Sequence, residues 1–456
     1  MQVRNIELDD HFSLLTSMYN KGIEYISARQ EYKHSFNLTV TSKDNINLQQ
    51  NIDHGTGFQI QHGSRKVFYS SNFPTNTLSD MTNLVDRIIL KEGKKNTRDN
   101  YQPIKRDLDI LNDGVWIDSY LDQLYELSSI IRDILNEYKS TISYSVDIYG
   151  EFLSKLFQST MNHQISQKFS LGIVSITLLN KQNTISRTQN IGGIEKENLN
   201  VDYIIEVVNN MVDEIQRIER YQKVVKGKHK VLLSPDTAFS LAHESIAHGC
   251  EADQIINRNS FLTGRIGQKV ASSIVTIVDD PHLRSTGWLE YDDEGTKSTG
   301  TLLVDDGILV DYLHTKETAE KLGTFSTGNA RADSYLTPVK PRQTNLFIEP
   351  KNHTFEELIE EVYNGYYIGP TFSASTSIYT GEYNIISQFA YQIDRGEIKE
   401  ITGPLILSGN SLNSLSKITA IGRDVEYFPA RCLKMNSNIH IGAISPAFVI
   451  DEMQIN

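Results

Sequence analysis

Cysteine is almost missing from this 456-residue chain, which holds only Cys250 and Cys432. Two thiols exclude a disulfide framework, and each has to be explained singly, in the simplest case as a small buried apolar group. Long apolar runs are missing too. No stretch reaches the roughly 18 apolar residues of a membrane-spanning helix. Met1 to Asp10 carries three acidic residues and none of the apolar core that a secretory signal needs. A cytoplasmic protein with no membrane partner is expected. Positive charge is in deficit, with 44 Lys and Arg against 57 Asp and Glu for a net charge of -13. That sign opposes binding to a phosphate backbone and excludes nucleic acid from the expected partners. Neither a repeat of solenoid or propeller period nor a low-complexity tract is found.

What is present is an ordinary globular inventory, 39% hydrophobic and 22% charged residues, at a length that suggests two or three domains. A short helix is predicted over Phe12 to Tyr25, followed by a strand with Phe36, Leu38 and Val40 on one face. Phe58 and Ile60 alternate before Gly63-Ser64, and Val67 and Tyr69 after it, which predicts a hairpin. Leu121, Leu124, Leu127, Ile131, Ile134 and Leu135 recur at helical spacing, as do Ile204, Val207, Val208, Met211, Ile215 and Ile218. Between these helices the β-branched run Ile173 to Leu179 suits a buried strand. The fold class is thus α+β for residues 1–225. The basic stretch Lys223 to Lys230, with Gly227 inside it, reads as a solvated linker. Residues 226–456 should be a mainly β domain, from short runs such as Ser273 to Val278, Leu302 to Val304 and Leu346 to Ile348.

Chemistry concentrates at the start of that second domain. Phe239 to Gly249 contains His243-Glu244 and then His248, an HExxxH pattern. Zinc needs neutral imidazoles on one side of a rigid element and a carboxylate placed to activate water, which the commoner HExxH supplies on a regular helix. One more residue changes the geometry, because positions i and i+5 lie roughly 140° apart at about 100° per residue. A π-bulge with i to i+5 bonding realigns them, and one is expected between His243 and His248. The competing reading is chance spacing on a half-buried helix, which twelve histidines would produce about twice in a hundred such chains. Leu241, Ala242, Ile246 and Ala247 offer an apolar shell, and Gly249 a helix exit. A catalytic zinc takes three protein ligands and keeps one open position. Spacing leaves Glu251, Asp253, Cys432 and His440 open as the third, with Arg431, Lys434 and the metal itself favouring a thiolate at Cys432.

At these residues the chain resembles the TldD/PmbA zinc metallopeptidases, specifically the TldD branch. The resemblance rests on His243 to Asp253, on Asp292-Asp293-Glu294-Gly295, and on Ser326 to Arg331 with Ser334-Tyr335. Looser matches are Pro341-Arg342 and Thr344-Asn345. It implies an N-terminal α+β domain followed by a largely antiparallel β domain, with Zn2+ held by His243, His248 and Cys432 and with Glu244 as general base. It also implies a peptide substrate and a homodimer, or a heterodimer with a related subunit, enclosing a cavity. The chain departs from the family at Ala252, usually glycine, and at Phe372 to Thr376, usually a glycine-rich strand. The added side chains would narrow a channel that a peptide backbone must approach closely. Asn329, Arg331 and Tyr335 are open between holding substrate and tying down their own loop. Two rival functions stand beside the peptidase: a non-catalytic partner subunit and a zinc-stabilised peptide-binding module.

Overall fold

The structure, a computed structural model, describes residues 11–43, 45–72, 74–92, 107–111, 121–161, 163–181, 185–218, 221–434 and 437–456. Seven strands form a first sheet: β1 (Tyr25–Thr41), β2 (Ile46–His62), β3 (Arg65–Ser71), β4 (Asp107–Leu111), β5 (Ile142–Ser159), β6 (His163–Asn180) and β7 (Ser186–Gly193). Their order is β3-β2-β1-β5-β6-β4, with β7 also paired to β6, and β4 is the strand that runs parallel to its neighbour. The predicted hairpin is β2–β3, with Phe58 opposite Tyr69 and Ile60 opposite Val67.

Alternation in these strands decides which face is covered. Along β5, Ile142, Tyr144, Val146 and Ile148 are buried and the residues between them half-buried, so one face is apolar. Four helices are relevant here: α1 (Phe12–Asn20), α2 (Pro74–Glu92), α3 (Leu121–Asn136) and α4 (Val201–Ile218). Leu124, Leu127 and Ile131 of α3 join Ile204, Val208, Met211 and Ile215 of α4 over that face, with Phe36, Leu38 and Val40. Each such side chain contributes about 1.5–3 kcal/mol on burial. Near the other end α1 and α2 cover Ile26, Phe58 and Ile60. The first helix is shorter than its sequence suggests. Gly22 takes φ 107° and Tyr25 already opens β1, so the chain turns from helix to strand five residues early.

Among the described residues the second sheet has 13 strands and starts with β8 (Gly227–Leu233). The basic stretch read as a linker is therefore strand from Gly227 onward, because Val231, Leu232 and Leu233 are wholly buried and carry the pairing with them. In chain order come β9 (Ile277–Asp279), β10 (Thr301–Asp305), β11 (Ile308–Leu309), a separate pair β12 (Ala330–Arg331) and β13 (Lys340–Pro341), and β14 (Asn345–Ile348). Next are β15 (Asn364–Ile368), β16 (Thr371–Thr376), β17 (Glu382–Ser387), β18 (Ala390–Asp394), β19 (Glu397–Thr402), β20 (Leu405–Asn410), β21 (Ile418–Lys434) and β22 (Ser437–Ile455). Of the run Ser273 to Val278, Ile277 and Val278 alone are strand. Pairing is mainly antiparallel, with parallel exceptions at β14–β22 and β8–β15. β22 is the spine of this sheet, bonded along its length to β14, β8, β20 and β21. A fifth helix, α5 (Pro235–Ala242), packs on it.

Candidate metal centre

The site begins where β8 stops. Ser234 caps α5, its hydroxyl accepting the Thr237 N–H at 3.3 Å, and Pro235 fills a first position that needs no donor. Ala238, Phe239, Leu241 and Ala242 bury the helix in the core. The backbone then loosens by one residue. His243–Ala247 is a π-turn, with the His248 N–H bonded to the His243 carbonyl at 3.3 Å. This i to i+5 bond is the one the histidine spacing requires, and it brings the two ring centroids to 4.6 Å. Ile246 and Ala247 anchor the turn in the core. Gly249 serves differently from the expectation of a left-handed exit: a Cβ there would sit 2.8 Å from Leu262 Cδ1, so its smallness permits close packing.

Cys432 arrives from β21, opposite Ile439 of β22. Its Sγ lies 3.4 Å from His248 Nε2, and ligand atoms of His243, His248 and Cys432 all fall within 4.8 Å of one another, all three residues buried. Zinc–ligand bonds of 2.0–2.3 Å set tetrahedral ligands about 3.5 Å apart, so the trio fits a metal with small side-chain adjustment. The donor set, two imidazoles and a thiolate, suits zinc chemistry. Burial would raise the Cys432 thiol, but His248 and a hydrogen bond from His243 hold it well below its ordinary range. Burial likewise opposes a charged His248, yet Glu251 and Cys432 push its pKa well up. The lowering comes from the imidazoles, while Arg431 and Lys434 are engaged elsewhere. Lys434 binds Glu251 at 2.9 Å and Asp253 at 2.8 Å, while the Arg431 guanidinium lies 5.3 Å from the Tyr149 ring centroid.

Behind the ligands stands a buried polar shell. Glu251 Oε2 faces His248 Nδ1 at 3.4 Å, which turns Nε2 towards Cys432. Arg342 flanks Glu251 at 3.6 Å and donates to the Cys432 carbonyl at 2.6 Å, tying the loop before β14 to the β21 ligand. The Gln343 amide meets His243 Nδ1 at 2.5 Å while its Oε1 has no partner. Amide oxygen and nitrogen are interchangeable by rotation. With Oε1 turned to His243, the Nδ1 proton is accepted and Nε2 is left free as a donor atom. Of the four candidate third ligands, then, Cys432 alone joins the histidines. Glu251 supports His248, Asp253 binds Lys434, and the His440 ring stacks on Tyr149 at 5.8 Å. Arg342 and Gln343 were not singled out as functional from the sequence. The one signal was the pair of looser matches around them.

Glu244 is partly exposed, with Oε1 4.0 Å from His243 Nε2. It opens on a cavity of about 400 Å³ walled by Thr188–Asn190 of β7, Phe239 of α5, Thr371–Ala374 of β16 and Phe428–Arg431 of β21. Phe239 stacks on His243 and meets Phe428 edge-on, an apolar wall beside the ligands. Phe372, on the strand where the resemblance implies glycines, stands 61% exposed at this wall. Asn329, Arg331 and Tyr335 are engaged with the protein itself. Asn329 donates to Asp279 at 2.6 Å, Arg331 donates to the Gln343 and His440 carbonyls at 2.7 and 2.9 Å, and Tyr335 donates to Asp53 at 3.1 Å.

Two histidines on a π-turn, a buried thiol and a carboxylate at a cavity mouth define a metallohydrolase type of centre. Comparison with known proteins makes the class specific. Residues 226–456 match the PmbA/TldA metallopeptidase C-terminal domain, and the chain belongs to the PmbA/TldD family. A metalloprotease of Archaeoglobus fulgidus is 30% identical over 335 residues, 72% of this chain and 76% of that one. A zinc metalloprotease TldD homologue of Saccharolobus solfataricus is 23% identical over 97% of this chain and 99% of its own. TldE of Thermococcus kodakarensis shares the fold, with a TM-score of 0.76 at 16% identity, covering 97% of this chain and 99% of that one. A Thermotoga maritima chain named for modulation of a DNA gyrase superposes with a TM-score of 0.80 at 18% identity, covering 97% of this chain and 98% of that one.

Proposed function

We propose that this protein is a zinc-dependent peptidase that hydrolyses unfolded or small peptides. The observation that carries the reading is the trio His243, His248 and Cys432, within 4.8 Å of one another, with Glu244 beside it at a cavity. His243, His248 and Cys432 would hold the metal, which when bound supplies a Lewis acid that polarises the peptide carbonyl and lowers the pKa of water. The chain supplies the rest. Glu244 removes the proton of the attacking water and delivers it to the departing amine. Gln343 and Glu251 fix the ring orientations of His243 and His248. β16 pairs with β17 alone among the described strands and lines the cavity, so an extended peptide can add to its other edge. A folded substrate cannot present such a strand. The relatives named as metalloproteases support the same reading. It includes two domains, residues 1–225 and 226–456, and assembly as a homodimer or with a related subunit.

The test is zinc content and cleavage together. Wild-type protein should carry about one zinc per chain, lost in Cys432→Ala and His248→Ala. Glu244→Gln should keep the zinc and lose hydrolysis of an unstructured peptide. Full zinc in Cys432→Ala, or unchanged cleavage by Glu244→Gln, refutes the assignment.

A further inference from the structure

A second cavity of about 130 Å³ adjoins the first, and Arg431 lines both. Its charged groups fall into two sets. Glu31 is held by Arg29 at 3.0 Å and by Lys155 at 3.7 Å, and Lys155 is in turn held by Asp293 at 2.8 Å. Glu151 accepts from the Tyr149 phenol, and Asp333 from the Thr337 hydroxyl. Lys33, Arg331 and Arg431 form the other set. Among the described residues none of these three has a carboxylate within the 4.0 Å of an ion pair. Arg331 is bonded to two backbone carbonyls and Arg431 rests over Tyr149, just as the hydroxyls on Glu151 and Asp333 are neutral partners, so all four keep their charge. Beside them His440 Nδ1 is buried without a hydrogen-bond partner. Burial, then Arg431, Arg331 and Lys33, hold this imidazole down at about 3, which keeps it neutral.

Lys33, Lys155, Arg331 and Arg431 stand against Glu31, Glu151 and Asp333, a surplus of one positive charge, and with a neutral donor among them the space is complementary to an anion. Covalent connectivity places that anion beside the metal centre: Arg431 precedes Cys432, and Arg331 holds the carbonyl of Gln343, whose side chain meets His243. Every linear peptide, whatever its sequence, carries one anion of fixed position, its terminal carboxylate. The cavity has room for about four waters at roughly 30 Å³ each, which accommodates that group and little more. We propose that this pocket seats the C-terminal carboxylate of the peptide, through Arg431, Lys33 and His440, so that the enzyme shortens chains from the carboxyl end. This rests on the peptidase reading above and adds the end from which the substrate is read.

The test compares one fluorescein-labelled peptide as its free acid and as its C-terminal amide. Binding is followed by fluorescence anisotropy on zinc-loaded, full-length Glu244→Gln, which does not turn the peptide over. Arg431→Gln and Lys33→Gln are added singly to this background, with melting curves to show that each is folded. The acid should bind at least about tenfold tighter than the amide, the scale of one charge-assisted hydrogen bond. Each added substitution should remove most of that difference, and Lys33→Gln, which lines the second cavity alone, should leave the amide unchanged. Equal affinity for acid and amide overturns the proposal, as does failure of the acid to bind, or equal weakening of both peptides by the substitutions. Inorganic phosphate that binds the pocket while acid and amide bind alike also overturns it. If the acid preference holds but zinc-loaded wild type cleaves neither peptide, the peptidase reading falls and the carboxylate pocket stands. If wild type cleaves both and binds both equally, the reverse applies.

Discussion

Replacing Glu251 by glutamine keeps the shape of the side chain and removes one charge from a place where three cationic groups converge. Lys434 Nζ is 2.9 Å away, His248 Nδ1 3.4 Å and Arg342 Nε 3.6 Å, and Glu251 is 1% exposed. Removing one member of a buried ion pair costs about 3–5 kcal/mol, because the remaining charges stay desolvated. The lower end applies here. Lys434 keeps Asp253 at 2.8 Å, and Arg342 keeps the Cys432 carbonyl and the Ser437 hydroxyl at 3.1 Å. A loss of about 3 kcal/mol corresponds to a fall in Tm of roughly 6–12 °C for a domain of this size. The same change lets the His248 ring rotate, and loss of such a support weakens metal binding about 10- to 100-fold. Differential scanning calorimetry of metal-free protein reads the first effect, and competition against a zinc-binding dye reads the second. Asp253→Asn is the control, since Asp253 touches Lys434 but neither histidine, and it should leave metal affinity unchanged. Glu251→Gln with wild-type melting and wild-type zinc affinity would show that the buried carboxylate supports neither the fold nor the ligand.

Glu251 also sets an acid limit. Burial alone would raise its pKa, but His248 and then Lys434 hold it down at about 2. With the folded value depressed, its stabilisation is fully present above the ordinary carboxylate range near about 4.3 and is lost as pH falls from there towards 2. Urea midpoints at pH 5 and pH 3 should therefore drop further in wild type than in Glu251→Gln, and equal drops would refute the linkage. Gly287→Ala is expected to cost about 2–4 kcal/mol in denaturant midpoint, since its Cβ would lie 2.0 Å from the Thr344 carbonyl oxygen. A neutral effect there would mean that the segment carrying Gln343 is free to shift. Phe372→Gly should leave zinc content intact and raise kcat/KM for peptides with bulky side chains about tenfold, the worth of roughly 1.4 kcal/mol of relieved crowding. An unchanged ranking of large and small substrates would show that the ring does not narrow the channel.

The π-turn was legible because it follows from a conflict of angles. Two imidazoles five residues apart point to one ion only if the helix takes up an extra residue, and no long-range information is needed to see it. The α3 and α4 stripes and the β2–β3 hairpin were legible for a similar reason, since their signal lies within one or two elements. The buried shell was not legible. Arg342 and Gln343 reach the centre across about 100 residues of sequence separation, and no local pattern distinguishes them from surface polar residues. Lys434 looked like a cation for Cys432 because the two are near in sequence, but strand alternation does not assign partners, and Glu251 with Asp253 take its charge. The parallel pairs β14–β22 and β8–β15 were hidden in the same way: period-two patterns give the exposed face of a strand, never its neighbour.

The spine strand β22 ties the existence of the centre to one hairpin. His248 lies 184 residues along the chain from the thiol that stands 3.4 Å from it in the fold. Cys432 is held in place by pairing with β22, opposite Ile439. Opening of that pairing withdraws the thiol while leaving both histidines on their own π-turn. Metal affinity thus reports whether β21 and β22 stay paired, as well as which ligands the chain carries.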